Sequence, residues 1–387
     1  MPSPPAPPQH LASIDALRGF AAIWVFFYHI WNYYYPECNS QLFATTLRDD
    51  QGWLYYPTFF LFQYGYYGVT IFFVVSGFCI HLPQARKHHA TGSDQLKLGA
   101  FFQRRFWRLY PAYFASLIVA SLCLGAMQLT DYQARGWPLP LPDRFYEEAF
   151  GVMGVLYNAL FLSPFFPLAR SLNGVYWTLI YELQFYFCYP LLVWLMRRCG
   201  LVVVGAVLLG CELWLLPQAR TLETWHHTSL WDYFFLSRFF EWYLGVIAAE
   251  IVVKRQAGVT YRQYWIPCAL FGCYSLVCIF VPLMWPARDL AVASTTFFLL
   301  LAVLPDQGSK PVSRWMRCLV WLGAFSYSLY LLHLPLLRII HVMNSHVEQL
   351  LGGTTHLPWL MLDAIPLVIL ASWGFYQIFE KPFLKAR

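Results

Sequence analysis

The run PTFFLFQYGYYGVTIFFVVSGFCIHL, residues 57–82, is 26 residues long and holds no Asp, Glu, Lys or Arg. As a helix, about 20 such residues cross a hydrocarbon core about 30 Å thick. The next stretch, 83–108, holds six cations: Arg86, Lys87, Lys97, Arg104, Arg105 and Arg108. An apolar run that ends in a cluster of Lys and Arg is the pattern of a span ending on the inner face of a membrane. The rest of the chain keeps this character. Of 387 residues, 59% are hydrophobic, 20% aromatic and 12% charged, and the charged share is about half that of soluble domains. Those figures exclude a water-soluble enzyme, a disordered chain and a disulfide-stapled secreted module. The net charge of +6 reports topology, and no nucleic-acid partner is expected.

Apolar runs free of Lys occupy 19–35, 57–82, 109–130, 175–196, 201–216, 230–252, 264–284, 288–305, 319–341 and 357–379. They predict an all-α integral membrane protein with about ten transmembrane helices. Segment 149–169 is an eleventh candidate, broken by Gly151, Gly154, Asn158, Pro164 and Pro167. With ten spans and the N-terminus inside, eighteen of the 26 Lys and Arg fall in inside segments and six in outside ones; Arg238 and Arg338 lie within spans. If 149–169 crossed fully, the later basic loops would invert to the outside. It is therefore read as a re-entrant or interfacial segment, tolerated only where protein or a cavity surrounds it, and both termini are placed in the cytoplasm. Residues 1–12 hold five prolines and read as an extended tail rather than a signal peptide. Residues 13–387 then form one transmembrane domain. Ten cysteines include no C-x-x-C, and most sit in apolar runs as small hydrophobes. Neither a disulfide framework nor a metal site is expected.

Ionisable groups inside spans are expensive and mark function by default. Arg18 and His29 are eleven residues apart on the first span, about three turns and about 16 Å along one stripe. Glu182 lies in the fourth span and His333 in the ninth, where Ser326, Tyr330 and His333 share a face. His29, Glu182 and His333 are thus placed at similar depth on three helices. A histidine with a carboxylate partner makes a general base, whereas a lone membrane His is often a helix–helix hydrogen-bond donor. Arg238 and Glu241, at i and i+3, suit a structural ion pair. Glu212 and Asp363 are weaker candidates, and Arg338 suits snorkelling. Arg105 and Arg108 form an R-x-x-R pair at a helix start, one turn apart, and two guanidinium forks there suit a phosphate or pyrophosphate group.

These residues resemble the acyltransferase 3 family of multi-span membrane acyltransferases. Leu17-Arg18-Gly19-Phe20-Ala21 leading to His29 resembles its opening motif, and Phe72-Phe73-Val74-Val75-Ser76-Gly77-Phe78 its F-F-x-x-S-G-F. Arg104-Arg105-Phe106-Trp107-Arg108-Leu109-Tyr110-Pro111 resembles R-R-x-x-R-L-x-P, and Trp177-Thr178-Leu179 with Glu182, Phe185 and Tyr186 resembles W-[ST]-L-x-x-E-x-x-F-Y. Ser326-Tyr327-Ser328-Leu329-Tyr330-Leu331 with His333 and Pro335 resembles S-Y-x-x-Y-L-x-H-x-P, and Glu380-Lys381-Pro382 the closing E-x-P. Six blocks in order over residues 14–382 are strong where each alone is weak.

The resemblance implies a ten-helix bacterial enzyme of the cytoplasmic (inner) membrane. It would move an acyl group, most often acetyl, from cytoplasmic acyl-CoA to a hydroxyl on an envelope glycan, glycolipid or small molecule. O-acetylation of a cell-envelope polysaccharide is the common case. By the same resemblance Arg18 and His29 are catalytic and Arg105 and Arg108 bind the donor; Glu182 and His333 join the catalytic set as ionisable groups within spans, and Arg104 and Ser76 join the donor set. The chain stops at Arg387, without the SGNH-like domain of some members. Tyr33, Tyr34, Tyr35, Trp53, Tyr55 and Tyr56 around the outer loop 36–56 suit either the interfacial aromatic belt or a sugar face. A homo-oligomer and an acyl-His29 intermediate stay open. The rival readings are a transporter or flippase of a lipid-linked sugar and a non-catalytic scaffold.

Overall fold

The structure is a computed structural model that describes residues 9–34, 61–129, 152–162, 171–219, 235–254, 262–281, 284, 287–304, 313–351 and 357–385. Every regular element among them is helical. In chain order these are α1 (Gln9–Tyr34), α2 (Gly68–Thr91), α3 (Leu98–Leu129), α4 (Val152–Ala159), α5 (Trp177–Cys199) and α6 (Leu201–Ala219). There follow α7 (Phe239–Val253), α8 (Trp265–Phe280), α9 (Arg288–Val303), α10 (Arg314–Ala324), α11 (Ser326–Leu351) and α12 (Leu357–Phe375). A single π-helical turn, Tyr376–Glu380, then leads into α13 (Lys381–Lys385). Among the described residues four helices are long and apolar enough to cross a membrane, or five if α10 and α11 count as one bent span.

The sequence-based boundaries shift in four places. The basic stretch 83–108 is not a loop: α2 runs on to Thr91, α3 begins at Leu98, and six residues, 92–97, make the turn. Gly92 ends α2 at φ 66°, a left-handed cap conformation that glycine adopts without strain. The run 319–341 is broken at Phe325, where α10 and α11 meet at 74°. Of segment 149–169 the described residues, 152–162, hold α4, whose eight residues span about 12 Å, short of a crossing. The first helix starts at Gln9, inside the stretch expected as tail. Residues 1–8, the outer loop 36–56, Pro164 and Pro167 lie outside the described residues.

Among the described residues, the two tightest helix crossings bring backbones into contact. On α1, a Cβ on Gly19 would stand 2.0 Å from the Leu319 carbonyl oxygen of α10, and one on Gly323 1.8 Å from that of Asp15. On α2, a Cβ on Gly77 would stand 2.0 Å from the Trp242 oxygen of α7, and one on Gly245 1.9 Å from that of Val74. Lipid tails are as apolar as leucine, so helices in a membrane associate through close packing, for which small residues clear the way. The α2–α7 and α1–α10 pairs are accordingly the most extensive helix contacts. The glycines of the L-R-G-F and S-G-F motifs are crossing points.

Two of the sequence candidates turn out to be framework. Glu212, fully buried on α6, accepts the Phe240 N–H at 3.2 Å in the first turn of α7. Arg238 pairs with Glu241 at 3.0 Å, as its spacing predicts, and also reaches Asp289 at 3.1 Å and donates to the Tyr66 hydroxyl at 2.8 Å. One guanidinium thereby joins α7, α9 and the turn before α2.

Replacing Gly77 or Gly323 with alanine is expected to cost about 2 kcal/mol or more by overpacking. Gly125→Ala, where nothing lies within 4 Å of the added carbon, should gain up to about 1 kcal/mol. Thermal unfolding of the detergent-purified variants separates the two outcomes.

Candidate active site

Helices α1, α2, α3, α5 and α11 surround two connected cavities. The larger, about 980 Å³, opens at the basic end of the bundle and collects Arg18, Lys87, Lys97, Arg104, Arg105 and Arg108 against the single carboxylate of Asp15. The smaller, about 160 Å³, lies deeper; Phe72, Phe73, Leu109 and Leu179 form apolar wall, and Ser76, Glu182 and Ser326 add polar groups. Arg18, Cys79, Ile80, Arg105 and Arg108 line both and mark the throat between them.

The three throat arginines are held differently. Arg18 stands 3.7 Å from Asp15 one turn earlier. Arg105 lies over the rings of Phe101 and Tyr186 at 5.5 and 5.8 Å, and its Nε has no hydrogen-bond partner. Ring faces attract a guanidinium without occupying its in-plane N–H fork, which stays open to an anion. Arg108 donates from Nη1 to Glu380 at 2.7 Å and lies 5.8 Å from the Tyr327 ring centre. Arg105 and Arg108 do share a face, but more than a turn inside α3 rather than at its start. A helix dipole acts within its first turn, so any anion here is attracted by the guanidinium charges themselves.

Glu182 also lines the inner cavity, where the Tyr186 hydroxyl donates to its carboxylate. Ser76 lines it too and accepts from the Trp242 indole at 3.3 Å. Ser326 is fully buried there, with an unpartnered hydroxyl. Tyr330 closes the far end of this cavity, its ring 5.7 Å from that of His333.

Beyond Tyr330 the two predicted histidines come together. The His29 and His333 ring centres are 5.0 Å apart, with α1 facing α11. His333 Nδ1 lies 3.1 Å from the Leu329 carbonyl, which can only accept, so Nδ1 carries the proton. His333 Nε2 is then left as a lone pair, buried and without a partner. Glu182 is placed with the arginines: it accepts from Tyr186, one turn on along α5, and lines the arginine-lined cavity.

Sequence reasoning missed a second buried histidine. His81, fully buried on α2, hydrogen-bonds to the Tyr189 hydroxyl at 3.0 Å and to Glu250 at 2.9 Å. Glu250 also accepts from Arg197 at 2.9 Å, Arg197 reaches Asp94 at 2.8 Å, and Asp94 meets His88 at 2.6 Å. The chain of contacts anchors the turn 92–97, which supplies Gln95, Leu96 and Lys97 to the mouth cavity. The available signal was a histidine at one end of the run 57–82 and a glutamate at the same end of 230–252.

Comparison with known proteins gives concordant matches. A family model described as an acyltransferase domain matches residues 11–377. Nodulation protein 10 of Rhizobium leguminosarum bv. viciae is 26% identical, over 98% of this chain and 94% of that protein. Acyltransferase MdmB of Streptomyces mycarofaciens is 24% identical, over 98% of this chain and 93% of its own. The peptidoglycan O-acetyltransferase OatA of Listeria monocytogenes is 23% identical, over 86% of this chain and 50% of its own. No solved structure matches the chain significantly.

Glu250→Gln leaves Arg197 only the part-exposed Asp94 carboxylate, so a loss of about 1.5–3 kcal/mol is expected. The half-exposed His88 should cost less than about 1 kcal/mol when replaced by alanine. Denaturant unfolding measures both. Limited trypsin cleavage at Lys97 should accelerate only in the Glu250 variant.

Proposed function

We propose, from the premise that the chain belongs to the acyltransferase 3 family, that it is a ten-span membrane O-acyltransferase of the bacterial inner membrane. Its donor is a cytoplasmic acyl-CoA, with acetyl as the expected group. Its acceptor is a hydroxyl of an envelope glycan, glycolipid or small molecule. The observation that supports this reading best is a cationic mouth that leads through a throat of arginines into an inner cavity whose end, Tyr330, lies against the His29–His333 pair.

Dimensions favour that donor. A coenzyme A arm has twelve bonds between its phosphate oxygen and its sulfur. At about 1.2 Å advance per bond, as in a trans peptide unit, it reaches about 14 Å. Arg18 and His29 are eleven residues apart on one straight stripe, about 16 Å. A diphosphate held on Arg18, Arg105 and Arg108 therefore brings the thioester level with the histidines. Lys87, Lys97 and Arg104 supply charge for the remaining phosphate.

The transfer itself needs a base. His29 takes the proton of the acceptor hydroxyl, whose oxygen attacks the thioester carbonyl. The carbon–sulfur bond then breaks, and His29 returns the proton to the departing thiolate. His333, locked with its proton on Nδ1, offers Nε2 as a hydrogen-bond acceptor beside the base. Positioned general bases of this kind contribute about 10²- to 10⁴-fold.

With acetyl-labelled acetyl-CoA and membranes holding the protein, label should enter a glycan, lipid or small-molecule fraction. His29→Ala should reduce transfer at least about 100-fold. Arg105→Ala should raise the donor KM about tenfold or more, since a hydrogen bond to a charged group is worth about 1.5–3 kcal/mol. Equal labelling by all variants overturns the site assignment. Movement of a lipid-linked sugar without any CoA dependence would install the transporter reading instead.

A further inference from the structure

We infer that Glu380 is a positioning residue: it fixes the Arg108 guanidinium at the throat and ties it to the helix that carries His333. The inference rests on the acyl-CoA reading above and names a device within that site. Its carboxylate has two partners from two different helices. Arg108 of α3 donates from Nη1 to Oε1 at 2.7 Å, and Ser328 of α11 donates from Oγ to Oε2 at 2.6 Å. Both are short, charge-assisted contacts, and together they leave the carboxylate no rotational freedom. Tyr327, beside Ser328, completes the seat: its hydroxyl donates to the Leu109 carbonyl at 2.9 Å and its ring lies under the Arg108 guanidinium.

The backbone at this point is built to deliver the group. Glu380 is the last residue of the π-helical turn Tyr376–Glu380. Such turns insert an extra residue into a helix and recur at functional sites. Here Ile378 and Phe379 are 63% and 40% exposed while Glu380 is 2% exposed, so the turn sends one carboxylate inward from an apolar outer face. A buried ion pair contributes little net stability over a well-packed apolar pair, which points to geometry as its use.

The pairing also divides labour between the two arginines. Arg108 is neutralised by Glu380 and brings direction without net charge. Arg105, held by ring faces, brings the charge. Donor phosphate on Arg108 is thereby mechanically connected, through Glu380 and Ser328, to the helix of His333 five residues further on.

The test compares wild type, Glu380→Gln, Glu380→Asp, Arg108→Gln and the Arg108→Gln/Glu380→Gln double variant in nanodiscs. Acetyl-CoA binding, donor KM, kcat and melting temperature are read for each. Glu380→Gln should raise the donor Kd and KM at least about tenfold with kcat changed less than about threefold. Glu380→Asp should recover most of that affinity. In the Arg108→Gln background, Glu380→Gln should add less than about twofold, because the residue acts through Arg108. Independent, multiplying effects of the two substitutions overturn the inference, as does a Glu380→Gln protein that melts lower but binds donor like wild type. If Glu380→Gln alone does not fold, the uncharged double variant carries the test: equal donor affinity to Arg108→Gln supports the coupling, and a difference above about threefold overturns it. Wild type that neither binds acetyl-CoA nor transfers acetyl defeats the acyl-CoA reading and the inference with it; binding wild type with a multiplying cycle defeats the inference alone.

Discussion

A guanidinium surrounded by apolar helices must be paired or must face a cavity, and the rest of the bundle is arranged around that constraint. An unpaired ion in such surroundings costs several kcal/mol. Arg108 is paired by Glu380, Arg197 by Glu250 and Asp94, and Arg238 by Glu241 and Asp289. The Glu380, Glu250 and Asp289 pairings each tie an arginine to a separate segment, so the charges help decide which helices are neighbours. Arg105 keeps only ring faces for company and is tolerated because it borders the mouth cavity.

Much of the framework was legible because it rests on composition. Apolar runs located most of the helices, and the basic stretch after residue 82 located the open end of the central cavity. The R-x-x-R spacing correctly placed Arg105 and Arg108 on one face, since helical periodicity is a local property. Their depth along α3 was misjudged because nothing in 83–108 signals that α3 starts as early as Leu98, before its apolar run. The 74° break at Phe325 was hidden for the converse reason. Hydropathy is continuous through 319–341, while in the structure α10 packs backbone to backbone on α1 at Gly19 and Gly323 and meets α11 at 74°.

Within the site, what depended on pairing between distant segments could not be read in advance. His29 and His333 stand 5.0 Å apart across more than 300 residues of chain, and no spacing rule connects them. Glu182 looked equivalent to them by depth alone, yet it lines the cavity of the arginines and accepts from Tyr186. His81 was overlooked because a single histidine at one end of a 26-residue apolar run reads as neutral. Its meaning appears only with Glu250 and Tyr189 on either side. The glycines show the same limit, since their motifs are visible in sequence while the carbonyl oxygens that exclude a Cβ are not.

The change in bore along the central path, from about 980 Å³ at the mouth to about 160 Å³ beyond the throat, has a consequence for water. A long, thin ligand with a bulky charged head can enter such a funnel only tail first, and its head then lodges where the bore narrows. The ligand becomes its own stopper. Solvent would be shut out from the basic end for as long as such a tail fills the inner cavity, without any lid having to move. An energy-rich ester held in this way is protected from hydrolysis by the same geometry that delivers it.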